Sequence, residues 1–220
     1  MSLPTALVIP AFNEEKHLES VFLDLQKQKI SLPVVVVDDG SKDRTVEIAQ
    51  RYTSHVIRHG VNTGKGGAML TGAEYALRLP GIESFVFLDG DGQHNPAEIK
   101  LFLEKLDQGH DLVFEVRNIW QKMPRSRSLG NHALSRFIQW RYGVYIPDIL
   151  SGFKGFSRAG FESVRWQALG YEVEMEIAAR VAQQKLPYTT LEIETIYHDF
   201  ERGMNVLDAL RLISKLPLWP

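Results

Sequence analysis

The chain has 220 residues, 44% of them hydrophobic and 24% charged, with a formal net charge of −2 and no cysteine. That length suits one sizeable α/β domain, and the near-neutral charge gives no reason to expect nucleic-acid binding. The missing cysteines exclude disulfides, thiol catalysis and cysteine-ligated zinc. No apolar run approaches the roughly 18 residues of a membrane span and no secretory signal opens the chain, so a cytoplasmic protein is expected.

The first strand is Ala6–Ile9, ending at Pro10. Asn13 is placed to cap the following helix, with Glu14 and Glu15 in its first turn and Leu18, Val21, Phe22 and Leu25 at helical spacing. Val34–Val37 is a second buried strand, closed by Asp38-Asp39-Gly40-Ser41, and Lys42–Tyr52 a second helix. His55–Arg58 is a shorter strand. The glycine-rich loop Asn62–Gly67 carries Lys65 into a helix running through Ala68 to about Leu79. Phe85–Leu88 is again fully apolar and delivers Asp89 and Asp91 at its carboxyl end, where Gly90 and Gly92 break the strand. Asn95 caps the next helix and Pro96 opens it; the helix ends near Gln108. His94 reads as a surface residue at that helix start. Asp111–Val116 completes five βα-like units, which argue for a mostly parallel sheet covered on both faces.

The second half is less regular. Arg117 to Arg127 is basic and holds Trp120 and Pro124. A helix from Ser128 to Tyr142 sets Leu129, Ala133, Leu134, Phe137 and Ile138 on one side. Asp148–Phe156 is a turn leading into a short strand, Gly170–Glu176 enters a helix ending near Lys185, and Tyr188–Ile196 alternates as a strand. A polar loop, His198–Gly203, precedes a last helix over about Asn205–Leu216. Leu216, Leu218 and Trp219 there can pack onto the domain or touch a membrane surface.

In an open parallel sheet, ligands bind outside the carboxyl ends of the strands. Glu14, Asp38, Asp39, Lys65, Asp89 and Asp91 all fall at such ends. Taken singly each acid is a turn or cap residue; three successive strands ending this way point to a cleft. Asp89 and Asp91 make a hard-oxygen pair suited to Mg²⁺ or Mn²⁺. Lys65 in its glycine-rich loop suits a diphosphate, with backbone N–H groups and an ammonium facing one anion.

Four segments in order, Val8–Glu14, Val37–Ser41, Asn62–Gly66 and Leu88–His94, resemble the family 2 glycosyltransferases of GT-A fold. Within them the chain resembles the dolichol- and polyprenyl-phosphate sugar synthases. Ser151–Lys154, Gly170–Glu176 and Arg202-Gly203 extend the likeness over nearly the whole chain. It implies a single GT-A domain over residues 1–220, with a nucleotide-sugar-binding half (1–116) and an acceptor-binding half (117–220). It implies an inverting transfer of a sugar from a nucleotide-sugar donor, GDP-mannose or a UDP-sugar, to a lipid phosphate, with peripheral membrane contact. By resemblance Pro10, Phe12 and Glu14 contact the nucleoside, Asp38 and Asp39 line its site, and Asp39 reads the base edge. Asp89, Asp91 and Gln93 hold the metal against the diphosphate. An anionic acceptor needs cationic positioning rather than a base, which nominates Arg117 and Arg202, with Arg125 and Arg127 beside them. A hydroxyl acceptor would instead make Asp148 or Glu174 the base.

The chain departs from the subgroup in three places. Position 12 is Phe where Tyr is usual, Phe114–Asn118 replaces a Gly-Ser/Thr-Arg-Tyr pattern, and Asp199–Asn205 lacks a usual Ser-Lys. A sugar-1-phosphate nucleotidyltransferase would want a glycine-rich loop with Arg and Lys after the first strand, where this chain has Pro10–Glu14. A non-catalytic nucleotide-sugar sensor would not need Asp89, Asp91 and Lys65 intact.

Overall fold

A computed structural model describes the backbone of residues 3–117 and 125–193. Its strands are β1 (Thr5–Ala11), β2 (Val34–Asp38), β3 (His55–Arg58), β4 (Ser84–Phe87), β5 (Leu112–Arg117), β6 (Lys154–Ser157) and β7 (Thr189–Ile193). Its helices are α1 (Leu18–Lys27), α2 (Thr45–Tyr52), α3 (Lys65–Ala76), α4 (Ile99–Asp107), α5 (Arg125–Tyr142), α6 (Arg158–Val164) and α7 (Val173–Gln184). One 3₁₀ turn, Pro96–Glu98, leads into α4.

The strands form one sheet in the order β3-β2-β1-β4-β6-β5-β7. All neighbours run parallel except β6, which lies antiparallel between β4 and β5. The sheet therefore passes through both halves of the sequence without a break. The reversal of β6 matters for the site. Its first residue, Lys154, is level with Phe87 of β4 and Phe114 of β5. The turn before it, residues 148–153, thus lies at the carboxyl ends of its neighbours.

The inner strands are buried on both faces. Val8, Val35, Val37, Phe85, Phe87, Phe114 and Phe156 face a core closed by α3, α5, α6 and α7, including Met69, Ile138, Phe161 and Met175. Leu7, Ile9, Val36, Val86 and Val113 face the opposite core, closed by Leu18, Phe22, Ile48 and Phe102 of α1, α2 and α4. This two-sided alternation is why the strands read as continuous apolar runs rather than alternating ones. In α5, Leu134 and Ile138 are buried but Ala133 is exposed.

Some local expectations are corrected. Asn13 does not cap α1, which begins at Leu18. Asn13 has a φ of 55°, and its Oδ1 accepts from Lys42 N. Residues 14–17 form a turn in which Glu14 O accepts from His17 N and Leu18 N. Helix α3 begins at Lys65, three residues earlier than expected. Asn95 does cap its helix start, accepting from Ala97 N at 3.0 Å.

Candidate active site

The segments that follow β1 and β2 are sewn together by hydrogen bonds. Asn13 N donates to Ser41 Oγ at 2.8 Å, Glu14 N to Thr45 Oγ1 at 2.8 Å and Glu15 N to Asp43 Oδ2 at 3.0 Å. Pro10 is half-buried at the end of β1, Phe12 is 44% exposed beyond it, and Glu14 is half-buried. Asp38 is fully buried; its carboxylate accepts from Ser41 N and lies 3.5 Å from Arg58 Nε, so it shapes the turn.

Asp39 is engaged in the same way. Its Oδ1 accepts from Thr63 N at 2.8 Å and Thr63 Oγ1 at 2.7 Å, and its Oδ2 from Gly64 N at 2.7 Å. His59 Nδ1 lies 2.8 Å from Oδ1, and His59 Nε2 lies 3.0 Å from Thr71 Oγ1. Burial works against the Asp39 charge, but these donors outweigh it and hold the carboxyl below its usual range. The carboxylate thus ties the loop before α3 to the end of β2.

That loop is not an open phosphate cradle. Gly66 N donates to Gly170 O at 3.2 Å and Gly67 N to Leu169 O at 2.9 Å, so these first-turn N–H groups of α3 are already used. The glycines serve close packing instead. At Gly64, where φ is +97°, a Cβ would collide with Leu169 O, and at Gly66 with Ala168 O. An anion here would meet the Lys65 ammonium rather than a ring of backbone donors.

Lys65 Nζ lies 3.2 Å from Asp89 Oδ1 and 2.9 Å from Glu174 Oε1. Burial opposes its charge, but Asp89 and Glu174 prevail and hold the ammonium well above the ordinary lysine range. Asp89 is opposed by burial too, yet Lys65 and then His94 pull it far below the ordinary carboxylate range. Asp91 goes the other way: burial, and then the charge of Asp89, push it up. Gln93 N donates to Asp91 Oδ1 at 3.0 Å. Gly152 passes so close that a Cβ there would collide with Asp89 Oδ2 and Lys65 Nζ.

His94 is not on the surface. It is 8% exposed, with Nε2 3.3 Å from Asp89 Oδ2 and Nδ1 3.7 Å from Glu115 Oε2. Burial disfavours its cation, but Glu115 and Asp89 raise it above the ordinary histidine range. Glu115 itself is fully buried in β5 and accepts from Ser151 Oγ. Beside it the buried Lys154 donates to Ser151 O, and burial lowers its ammonium to about 8. The sequence carried one signal for this cluster: an acid inside the otherwise apolar run Leu112–Val116.

Arg117 ends β5 and is gripped by Asp148. Its Nε and Nη2 donate to Asp148 Oδ2 and Oδ1 at 2.8 and 2.9 Å, and its backbone N to Oδ2 at 3.0 Å. Asn131 Nδ2 on α5 donates to the same carboxylate at 2.8 Å. Asp148 is therefore neither a turn cap nor a free base. Burial would raise it, but Arg117 outweighs burial and holds it below the usual range. Arg202 and the last helix lie outside the described residues, as do the side chains of Arg125 and Arg127.

A mostly parallel sheet with an acid pair just past the end of its fourth strand fits the GT-A glycosyltransferases. The model of Glycosyl transferase family 2 matches residues 6–165, and the chain belongs to that family. It is 30% identical over 236 residues to the UDP-N-acetylglucosamine–dolichyl-phosphate N-acetylglucosaminyltransferase of Methanococcus voltae, covering 96% of this chain and 93% of that protein. It is 28% identical to the dolichol-phosphate mannosyltransferase of Pyrococcus furiosus, covering 99% of this chain and 64% of that one. Among solved structures, glucosyl-3-phosphoglycerate synthase from Mycobacterium tuberculosis, in complex with Mn²⁺, UDP and phosphoglyceric acid, superposes with a TM-score of 0.75. That match has 22% identity over 98% of this chain and 79% of that one, and shows the fold.

Proposed function

We propose that this enzyme transfers a sugar from a nucleotide-sugar to a polyprenyl or dolichyl phosphate, with inversion and with a divalent metal. The relatives named for dolichyl-phosphate transfer support the acceptor class. The observation that carries the reading is the state of the two candidate bases. Asp148 is buried under Arg117, and Glu174 is buried against Lys65. Neither is available to take a proton from a hydroxyl, whereas a phosphate acceptor is already anionic and needs none.

The donor set fits Mg²⁺ or Mn²⁺. Asp89 and Asp91 are oxygen ligands one residue apart, and Asp91 is raised partly because Asp89 is charged beside it, a repulsion that a cation relieves. Among the described residues no three acids or histidines converge to hold a metal unaided. Asp89, Asp91 and Gln93 would hold it together with donor phosphate oxygens. Bound there, it supplies charge neutralisation for the departing nucleoside diphosphate.

The chain's own groups do the rest. Lys65 keeps Glu174 and exchanges part of its hold on Asp89 for the diphosphate. Asp39 orders residues 63 and 64 beside the nucleoside, with Pro10, Phe12 and Glu14 on its other side. Arg117, its fork set by Asp148 and Asn131, meets the acceptor phosphate together with Arg202. An acceptor oxygen attacks the sugar C1 in line as the bond from C1 to the diphosphate oxygen breaks, which inverts the anomeric centre. Among the described residues no helix is long and apolar enough to cross a membrane. On α5, however, Trp140 is 79% exposed beside the exposed Arg136 and Arg141, a combination suited to the surface where a lipid phosphate resides.

The test is a transfer assay with radiolabelled GDP- and UDP-sugars, offering polyprenyl phosphate beside free sugars. Label extracted into the lipid phase as a sugar-phospholipid is the expected result. Product only on free sugars would overturn the acceptor assignment.

A further inference from the structure

Behind Asp89 stands a second set of groups that neither donor nor acceptor needs to touch. His94 sits between Asp89 and Glu115, with its ring against Phe153 at 4.9 Å between centroids. Phe153 is itself stacked on Phe102 of α4 at 4.2 Å. The ring is thus wedged by packing, and its Nε2 lies 3.3 Å from Oδ2 of Asp89, an oxygen that also accepts from Lys65 at 3.3 Å, while Oδ1 lies 3.2 Å from Lys65. Its Nδ1 is buried without a hydrogen bond and faces Glu115 at 3.7 Å. Glu115 is fixed in turn: its backbone N donates to Phe153 O at 3.1 Å and its carboxylate accepts from Ser151 Oγ.

We propose that His94 and Glu115 are a positioning pair that fixes the orientation of Asp89 for the divalent cation. This rests on the metal-dependent reading above. Lys65 cannot fill that role throughout the reaction, because a diphosphate competes for its ammonium. His94, wedged from behind, holds Asp89 while Lys65 changes partner. Groups that orient a metal-binding side chain from behind commonly affect affinity by about 10- to 100-fold. The link from Glu115 through Ser151 to Gly152 also ties the pair to the turn that packs against Asp89.

The test is Mn²⁺ titration in the presence of UDP or GDP, by calorimetry and by the Mn²⁺ paramagnetic resonance signal, with melting temperature as a fold check. His94→Leu should weaken Mn²⁺ binding about tenfold or more. His94→Gln, whose amide nitrogen reaches about as far as Nε2, should bind within about threefold of wild type. Glu115→Gln, which keeps an acceptor for Ser151 but removes the charge facing Nδ1, should lose about three- to tenfold. In turnover the deficit should disappear at saturating Mn²⁺, with the acceptor KM unmoved. His94→Leu within twofold of wild type, His94→Gln no better than His94→Leu, or Glu115→Gln equal to wild type would each overturn the pair. Should His94→Leu fail to fold, Glu115→Gln decides alone. A wild-type protein that binds no Mn²⁺ would remove the metal reading and this proposal together; normal wild-type binding with unaffected variants removes the proposal only.

Discussion

At the carboxyl ends of β1, β2 and β3, carboxylates are held chiefly by neutral donors, with the exposed Arg58 and Arg44 reaching Asp38 and Glu15; at the carboxyl ends of β4 and β5 and the start of β6 they meet less exposed charges. Asp39 faces two backbone N–H groups, a threonine and a histidine. Asp89, Asp148 and Glu174 instead face Lys65, Arg117 and His94. The first region is a preformed wall, suited to a nucleoside that carries no net charge. The second is a set of largely buried ion pairs that, on the proposed reading, exchange partners when anions and a metal arrive. Buried pairs add little net stability but are costly to break from one side. The two regions should therefore respond differently to the same kind of mutation.

The largest expected effect is on turnover at the charged end. Asp91→Ala should lower kcat by about a thousandfold or more, the scale of losing a group that stabilises leaving charge. Its melting temperature should stay near wild type, since Asp91 is half-buried in a strand-end loop. Steady-state kinetics with retained turnover would break the assignment. Next comes stability. Arg117→Ala leaves Asp148 buried and charged, and should cost about 3–5 kcal/mol in urea unfolding. Adding Asp148→Asn should recover part of it, and a double variant no better than the single one would show that the pair is not coupled.

At the neutral end the effect should be smaller and should fall on binding. Asp39→Ala removes the acceptor for Thr63 N and Gly64 N, and should weaken nucleotide binding by about 1–3 kcal/mol. Unchanged calorimetric affinities would show that loop order is irrelevant to the nucleoside. Acid should act on both regions with the same sign, because Asp39 and Asp148 are both held below their usual range. Asp148 is held below its unfolded value, so its contribution is present above about pH 4 and is lost as the pH falls through the folded value. Asp148→Asn should flatten that part of the stability profile, and an unchanged slope would contradict the sign. The smallest effect is Trp140→Ala, which should reduce sedimentation with anionic vesicles a few-fold and leave nucleotide affinity untouched; unchanged sedimentation would remove α5 from the membrane-facing surface.

The strand ends were readable because β1, β2 and β4 are apolar runs that stop at acids, and burial on both faces forces that pattern. Which acid meets which cation was not. Asp89 and Glu115 converge on His94 only because β6 runs backwards between β4 and β5 and brings Ser151–Phe153 alongside, and no periodicity announces that insertion. The glycine-rich loop misled for a related reason. Its composition says that the backbone comes close to something, and that something is the carbonyl stretch 168–170 rather than a phosphate. Arg117 was identifiable as a strand-end cation, but its partner Asp148 lies 31 residues further on.

The central claim, that the charged end requires a divalent cation to accept a nucleoside diphosphate, is tested most directly by titration calorimetry of UDP and GDP with Mn²⁺ and with EDTA. The account predicts that at least one of the two binds at least about tenfold more tightly with Mn²⁺, about 1.4 kcal/mol, and that Asp91→Ala removes the difference. Equal affinities with and without the metal for both nucleotides would contradict it.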